Sequence, residues 1–224
     1  MTRGILICFS GIDGSGKSTI ARMVKLSIEK KGIDCSYVYG RVIPFLSRIV
    51  VRAGQLLLNK QKRDINNYLS YAEKKKRSLK NPLFSKIYKW SFIIDQVIQT
   101  NLRITPLLLN KSIICDRYFI DTIVTDIAID LGYSKNETYN LYNKLQFFLP
   151  KPRLQFLIDL PEKVAFSRKN DVPHMNYLSE RRALYNDLTR SLNFIVLDGS
   201  RPINDVFNEA INIIDKYLPI TNAN

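Results

Sequence analysis

Residues 11 to 19, Gly-Ile-Asp-Gly-Ser-Gly-Lys-Ser-Thr, constrain this chain more than any other stretch. They fit the pattern G-x-x-x-x-G-K-[ST] and directly follow an apolar run, residues 5 to 9. A buried strand that leads through a glycine-rich turn into a helix directs backbone N–H groups and the positive end of the helix dipole at one point. The sequence therefore predicts a nucleoside triphosphate site. The residues expected to form it are Gly11, Asp13, Gly14, Ser15, Gly16, Lys17, Ser18 and Thr19.

Lys17 and Ser18 carry the chemistry of this loop. The Lys17 ammonium would reach the β- and γ-phosphates, and the Ser18 hydroxyl would hold Mg²⁺. The alternative is a glycine turn without function. It is disfavoured because two glycines, a lysine and a hydroxyl occur at fixed spacing between a strand and a helix.

The length and composition fit one globular domain over residues 1 to 224. Hydrophobic residues make up 46% of the 224-residue chain, enough for one sizeable core. No apolar segment is long enough to span a membrane, so we expect a cytoplasmic protein without a membrane partner. The three cysteines have no metal-site spacing and are interpreted as core residues.

The chain carries a formal net charge of +14 at pH 7. Such a charge is typical of nucleic-acid-binding surfaces, but an enzyme that handles two phosphorylated ligands also accumulates lysine and arginine. The net charge alone does not distinguish these two classes.

Strand and helix patterns alternate along the chain. After residues 5 to 9, further strands are predicted at 34 to 40, 112 to 115, 153 to 158 and 193 to 197. Strands separated by helices indicate an α/β fold with a parallel sheet and right-handed crossovers. Residues 41 to 90 show helical patterns only, and residues 60 to 80 within them are rich in lysine.

Four segments together resemble thymidylate kinase and its close relatives among the nucleoside monophosphate kinases. They are residues 9 to 19 (FSGIDGSGKST), 116 to 118 (DRY), 177 to 188 (YLSERRALYNDL) and 197 to 206 (LDGSRPINDV). The resemblance implies a three-layer P-loop NTPase fold, a five-stranded parallel sheet flanked by helices. It also implies ATP and Mg²⁺ as ligands, an acceptor side over residues 41 to 90 and a lid over about 163 to 182.

The resemblance assigns the acceptor side residue by residue. Asp13 would accept a hydrogen bond from the sugar 3′-hydroxyl, and Asp116 would hold magnesium waters. Arg117, with Arg41 as a second arginine, would bind the acceptor phosphate. The structural alternatives are that Asp13 caps a turn and that Asp116 and Arg117 form an ion pair.

Phe92 and Gln96 stand four residues apart on a predicted helix and so share a face. In the family the first position stacks on the base, and the second, usually an arginine, hydrogen-bonds to it. A glutamine offers one acceptor and two donors, which suits thymine, uracil or cytosine. The alternative for Phe92 is a place in the core.

The lid would supply the catalytic arginine, because Ser15 stands where other family members carry one in the loop. Arg168 is the first candidate for stabilising the transferring phosphoryl group, and Arg182 is a second lid residue at the ATP site. The alternative for either arginine is a solvated surface.

These predictions describe a kinase that transfers the γ-phosphoryl of ATP to a pyrimidine deoxynucleotide, dTMP first, as a possible homodimer without a nucleic-acid partner. A deoxynucleoside kinase, or another pyrimidine nucleotide kinase, is the nearest alternative. The alternative from another class is a protein that binds NTP and acts on nucleic acid or a membrane surface without kinase chemistry.

Overall fold

The computed structural model describes residues 4–57, 75–169 and 172–218. Its sheet has five strands: β1 (Leu6–Ser10), β2 (Cys35–Tyr39), β3 (Ser112–Asp116), β4 (Leu154–Asp159) and β5 (Ile195–Asp198). All neighbouring strands pair in parallel, in the spatial order β2-β3-β1-β4-β5. The predicted α/β fold with a five-stranded parallel sheet is confirmed.

Helices cover both faces of the sheet. They are α1 (Lys17–Lys30), α2 (Leu46–Leu57), α3 (Pro82–Arg103), α4 (Thr105–Leu108), α5 (Phe119–Leu131), α6 (Lys135–Leu145), α7 (Glu162–Ser167), α8 (Met175–Leu188) and α9 (Ile203–Ile214). One apolar cluster, which includes Val24 and Ile211, packs α1 and α9 on one face. A larger cluster, which includes Phe92 and Leu184, packs α3, α5, α6 and α8 on the other.

Strand β1 lies at the centre of the sheet, between β3 and β4, and its five residues are all buried. Phe9 stacks on Phe156 of β4 with ring centroids 5.0 Å apart. A strand that is apolar on both faces is typical of a parallel sheet covered by helices on both sides. The turn after β1 therefore opens at the middle of the carboxyl edge, between the ends of β3 and β4.

Helix α5 is not a regular α-helix. It consists of the segments Phe119–Thr122, Ile123–Ala128 and Ile129–Leu131, and the middle segment is π-helical. Such wide turns are rare and occur frequently at functional sites. The carbonyl of Thr125, within the π-helical segment, accepts a hydrogen bond from Arg181 Nη2 of α8 at 3.1 Å.

The boundaries differ from the prediction mainly where proline acts. The pattern of the helix that carries Phe92 and Gln96 continues from residue 84 to about residue 110, but the helix ends at Arg103. Pro106 lies in the first turn of the separate helix α4, where its missing N–H costs no helical hydrogen bond. Most of the lysine-rich stretch 60 to 80 lies outside the described residues, as do positions 170 and 171 of the predicted lid.

Candidate active site

The loop between β1 and α1 has a backbone that requires glycine. Gly11 and Gly14 have φ of 144° and 83°, conformations that side chains disfavour. A Cβ at Gly11 would lie 2.7 Å from the carbonyl oxygen of Ile158, and one at Gly14 would lie 2.5 Å from that of Ala165. The loop therefore packs directly against the end of β4 and against α7.

Lys17 is the first residue of α1, and only 5% of it is exposed. Its Nζ donates to the carbonyl oxygen of Ile12 at 3.0 Å and lies 3.9 Å from Asp13 Oδ1. Burial, together with the charge of Arg117, lowers the pKa of Lys17 to about 8. The site thus holds a desolvated ammonium that an anionic ligand would stabilise.

Arg117 follows β3 with a φ of 67°, which is uncommon for a residue other than glycine. Its Nη2 donates to Asp13 Oδ1, and its Nη1 contacts Asp121 Oδ1 at 3.2 Å and the carbonyl oxygen of Gly11 at 3.3 Å. Burial would raise the pKa of Asp13, but the charges of Arg117 and Lys17 outweigh it and hold the pKa below its ordinary value. The loop and the strand end therefore form one charge network.

A cleft of about 490 Å³ opens at this network. Its lining includes Lys17, Thr19, Tyr39, Arg117, Arg168 and Lys169. A larger cavity of about 980 Å³, which includes Gly4 and Arg153, lies at the amino ends of the strands and contains none of the predicted site residues. In parallel α/β sheets ligands bind at the carboxyl ends of the strands, so the smaller cleft is the candidate active site.

Asp116, the last residue of β3, has one oxygen engaged and one unpaired. Its Oδ2 accepts from the Tyr37 hydroxyl at 2.7 Å, while Oδ1 is buried and has no hydrogen-bond partner among the described residues. Burial and the hydrogen bond to Asp116 raise the pKa of Tyr37 to about 12. Carboxylate and hydroxyl oxygens suit Mg²⁺, so Asp116 and the half-buried Ser18 fit a magnesium site completed by ATP.

Arg41 lies beyond β2 and pairs with Asp126 of the π-helical segment. Its Nη2 donates to Asp126 Oδ1 at 2.7 Å and its Nε to Oδ2 at 3.3 Å. Burial would lower the pKa of Arg41, but Asp126 raises it beyond its ordinary value. An arginine that holds one carboxylate in this bidentate manner has the geometry to hold a phosphate.

Phe92 and Gln96 both lie on α3 and are both buried. The Phe92 ring packs 5.0 Å from that of Tyr88, between centroids. Gln96 Nε2 donates to the carbonyl oxygen of Gly40 at 3.0 Å and to Thr100 Oγ1 at 2.9 Å, and its Oε1 accepts from a threonine of α5 at 2.7 Å. The Gln96 amide is thus fully engaged with protein, and its contact with a base stays a prediction.

The two lid arginines differ in their surroundings. Arg168 directly follows α7, is exposed and lines the cleft. Its side chain forms no hydrogen bond or ion pair with the described residues. Arg182, on α8, donates to both oxygens of Asp159 at 2.7 and 2.9 Å and to Glu162 at 3.0 Å. The ATP contact of Arg182 stays a prediction.

The single histidine, His174, accepts a hydrogen bond from the Tyr177 backbone N–H and caps α8.

Sequence reasoning missed several residues that hold this site together. They are Tyr37, Asp121, Asp126 and Tyr185. Only Tyr185 lies in one of the four segments, residues 177 to 188, and none of the four residues was assigned a role. Asp121 carried the one usable signal, because an acid in the first turn after a strand end favours a helix start. The partners of the others come from distant parts of the chain.

The chain is similar along most of its length to several known proteins. It is 30% identical to "Probable thymidylate kinase 1" of Saccharolobus solfataricus over 218 residues, which cover 95% of this chain and 98% of that protein. The chain belongs to the thymidylate kinase family. "Probable thymidylate kinase 2" of the same organism is 26% identical over 96% of this chain and 98% of its own length. "Thymidylate kinase" of Thermosipho africanus is 23% identical over 96% of this chain and 99% of its own length.

Membership in the thymidylate kinase family confirms the predicted class of enzyme, an ATP-dependent phosphotransferase that acts as a nucleotide kinase. No family model matches the chain. Within the residues that the structure describes, no helix has the length and apolar character needed to cross a membrane.

Proposed function

We propose that this member of the thymidylate kinase family transfers the γ-phosphoryl group of ATP to dTMP, with Mg²⁺. One observation carries the proposal: a single cleft is lined by Lys17 of the loop, Arg117 of the strand end and Arg168 of the lid. Lys17 would bind ATP, Arg117 would bind the acceptor nucleotide, and Arg168 would be available to the group in transfer. That arrangement suits a reaction in which a phosphoryl group moves between two bound phosphates and its negative charge has to be neutralised.

Phosphoryl transfer requires positioned substrates and positive charge rather than a protein nucleophile, because the attacking phosphate oxygen is already anionic. Lys17 would bind the β- and γ-phosphates, and Arg117 would bind the acceptor phosphate once this displaces Asp13 from Nη2. Asp13 is then free to accept from the 3′-hydroxyl of the sugar. Mg²⁺, held through Ser18 and Asp116, would supply charge neutralisation.

A panel of acceptors tests the proposal directly. The full-length protein, ATP and Mg²⁺ are incubated with dTMP, dUMP, dCMP, thymidine or single-stranded DNA, and ADP formation is measured. We expect dTMP to be preferred over the other pyrimidine nucleotides at least about tenfold, the value of one mismatched hydrogen bond in a buried site.

Each other outcome of the panel has a meaning of its own. A better rate with thymidine indicates a deoxynucleoside kinase, and a better rate with dCMP or dUMP corrects the acceptor only. ATP turnover that requires single-stranded DNA and no nucleotide acceptor contradicts the proposed transfer. Omitting Mg²⁺ should remove all transfer, and transfer that persists with a chelator present contradicts the magnesium part.

We also propose that the protein pairs with a second copy of itself through α3. Six apolar residues follow one face of this helix at helical spacing, and each is between 41% and 72% exposed: Leu83, Ile87, Trp90, Ile94, Ile98 and Leu102. A continuous apolar stripe on a 22-residue helix is self-complementary across a two-fold axis, as closed dimers require.

The oligomeric state should respond to a charge placed in the middle of this stripe. We expect the wild type to sediment as a dimer at micromolar concentration and Trp90→Glu to sediment as a monomer, because burying a carboxylate there is costly. Val196→Glu, at another apolar residue that is 44% exposed but lies on β5, should remain a dimer. A monomeric wild type contradicts the proposal.

A further inference from the structure

Asp121, in the first turn of α5, is fully buried and accepts four hydrogen bonds. Its Oδ1 accepts from the Tyr185 hydroxyl at 2.8 Å and from Arg117 Nη1 at 3.2 Å. Its Oδ2 accepts from Ser10 Oγ at 2.7 Å and from the Tyr118 backbone N–H at 2.9 Å. A carboxylate has about four acceptor positions, so all the acceptor positions of Asp121 are occupied.

The four donors come from three parts of the fold. Ser10 ends β1, Arg117 and Tyr118 form the turn between β3 and α5, and Tyr185 belongs to α8, the helix that follows the predicted lid. Burial, followed by the charge of Asp121, raises the pKa of Tyr185 well above its ordinary value, so its hydroxyl stays a donor. Arg117 is the one charged donor among the four.

Arg117 has two carboxylate partners, and they are not equivalent. The Asp13 side chain is 27% exposed at the mouth of the cleft, whereas the Asp121 side chain is 0% exposed beneath it. A phosphate that enters the cleft can replace Asp13 at Nη2, but it cannot reach the Nη1 contact with Asp121. The contact with Asp121 therefore persists when ligand is bound.

We propose that Asp121 is a positioning residue that aims the Arg117 guanidinium at the acceptor phosphate, with Tyr185 as its support from α8. The inference rests on the proposed function, in which Arg117 binds that phosphate. The backbone of Arg117 has a left-handed conformation directly after β3, which fixes the direction in which the side chain leaves the main chain. The contact with Asp121 fixes the guanidinium at the other end of the side chain.

Asp121→Asn tests this proposal because an amide cannot satisfy the four donors. Whichever way the amide turns, its NH₂ faces a group that can only donate, either Arg117 Nη1 or the Tyr118 backbone N–H. We expect the KM for dTMP to rise at least about tenfold while the KM for ATP changes by less than about twofold. Tyr185→Phe removes one donor and should raise the KM for dTMP by about threefold.

Asp95→Asn is the matched control. Asp95 is also buried and also accepts four hydrogen bonds, all from residues 45 to 47 and none from the neighbourhood of Arg117. This variant should lose stability as Asp121→Asn does, but it should keep the ratio of the two KM values. In an Arg117→Ala background, Asp121→Asn should add no further change in the KM for dTMP.

The outcomes separate this proposal from the proposed function. If the wild type transfers phosphate to no nucleoside monophosphate, the proposed function is wrong, and NMR signals of the Arg117 guanidinium then decide about Asp121. Signals that broaden or vanish in Asp121→Asn support positioning, and unchanged signals overturn it. An unchanged KM for dTMP in an active, folded Asp121→Asn also overturns it, and Tyr185→Phe replaces that variant if it does not fold.

Discussion

Replacing Lys17 with methionine is expected to abolish phosphoryl transfer and, at the same time, to stabilise the nucleotide-free protein. The ammonium is buried beside Arg117, and 3.9 Å is a long distance for its ion pair with Asp13. The pKa of Lys17 falls from an ordinary 10.5 to about 8. At about 1.4 kcal/mol per pKa unit, the charged form costs the free protein about 3 kcal/mol at neutral pH.

The lowered pKa of Lys17 determines how the free energy of unfolding changes with pH. Between pH 8 and 10.5 the unfolded chain holds a proton on Lys17 that the folded protein has released, so the free energy of unfolding of the wild type rises with pH in this window. The rise is complete above 10.5 and is lost as the pH falls through 8. Lys17→Met lacks the titrating group and should lack the rise.

Chemical denaturation of both proteins without nucleotide, from about pH 6 to pH 10, measures this difference. The variant should be more stable by about 3 kcal/mol at the lower pH and lose its advantage toward the higher. A variant that is less stable at neutral pH, or a difference that does not vary with pH, contradicts the argument. Normal transfer by the folded variant would remove Lys17 from the catalytic site.

Arg168→Ala is expected to lower kcat by about a thousandfold while the KM for ATP changes by less than about threefold. In the family that the chain resembles, this arginine comes from the loop or from the lid. The loop position here is Ser15, so we expect the lid to supply the charge. Arg168 is exposed, lines the cleft and has no carboxylate partner among the described residues. Its guanidinium is therefore available when the transition state forms.

Arg182→Ala is the matched control, because its guanidinium already serves Asp159 and Glu162. Losing these partners should lower the free energy of unfolding by about 1–3 kcal/mol and change kcat by less than about tenfold. If instead Arg182→Ala loses kcat and Arg168→Ala changes only the KM for ATP, then Arg182 is the catalytic residue and must leave its carboxylates during the reaction.

The sequence was informative wherever local pattern decides structure. The α/β fold and the strand-turn-helix context of the loop were predictable because buried parallel strands are short apolar runs and the loop glycines have a fixed spacing. Asp116 and Arg117 were assigned through the family resemblance. They lie at the carboxyl end of β3, at the edge where parallel strands end together, and Arg117 lines the cleft.

Helix α3 shows where this reasoning stops. Helical spacing correctly placed Phe92 and Gln96 on one face, but it could not say whether that face meets a ligand or the protein. Gln96 binds Gly40, which is 56 positions away in the sequence, and such partners follow from tertiary packing. Two of the four donors to Asp121 were hidden for the same reason, because Ser10 and Tyr185 lie 111 and 64 positions from it.

The π-helical segment Ile123–Ala128 makes the length of α5 as important as its composition. An α-helix turns by about 100° per residue, and a wide turn accommodates one residue more than the regular helix would. Deleting one residue here would restore regular winding, but it would rotate Asp126 away from Arg41 and remove the Thr125 carbonyl from Arg181. Insertions and deletions in α5 should therefore be far more damaging than substitutions, although the segment lies outside every sequence motif.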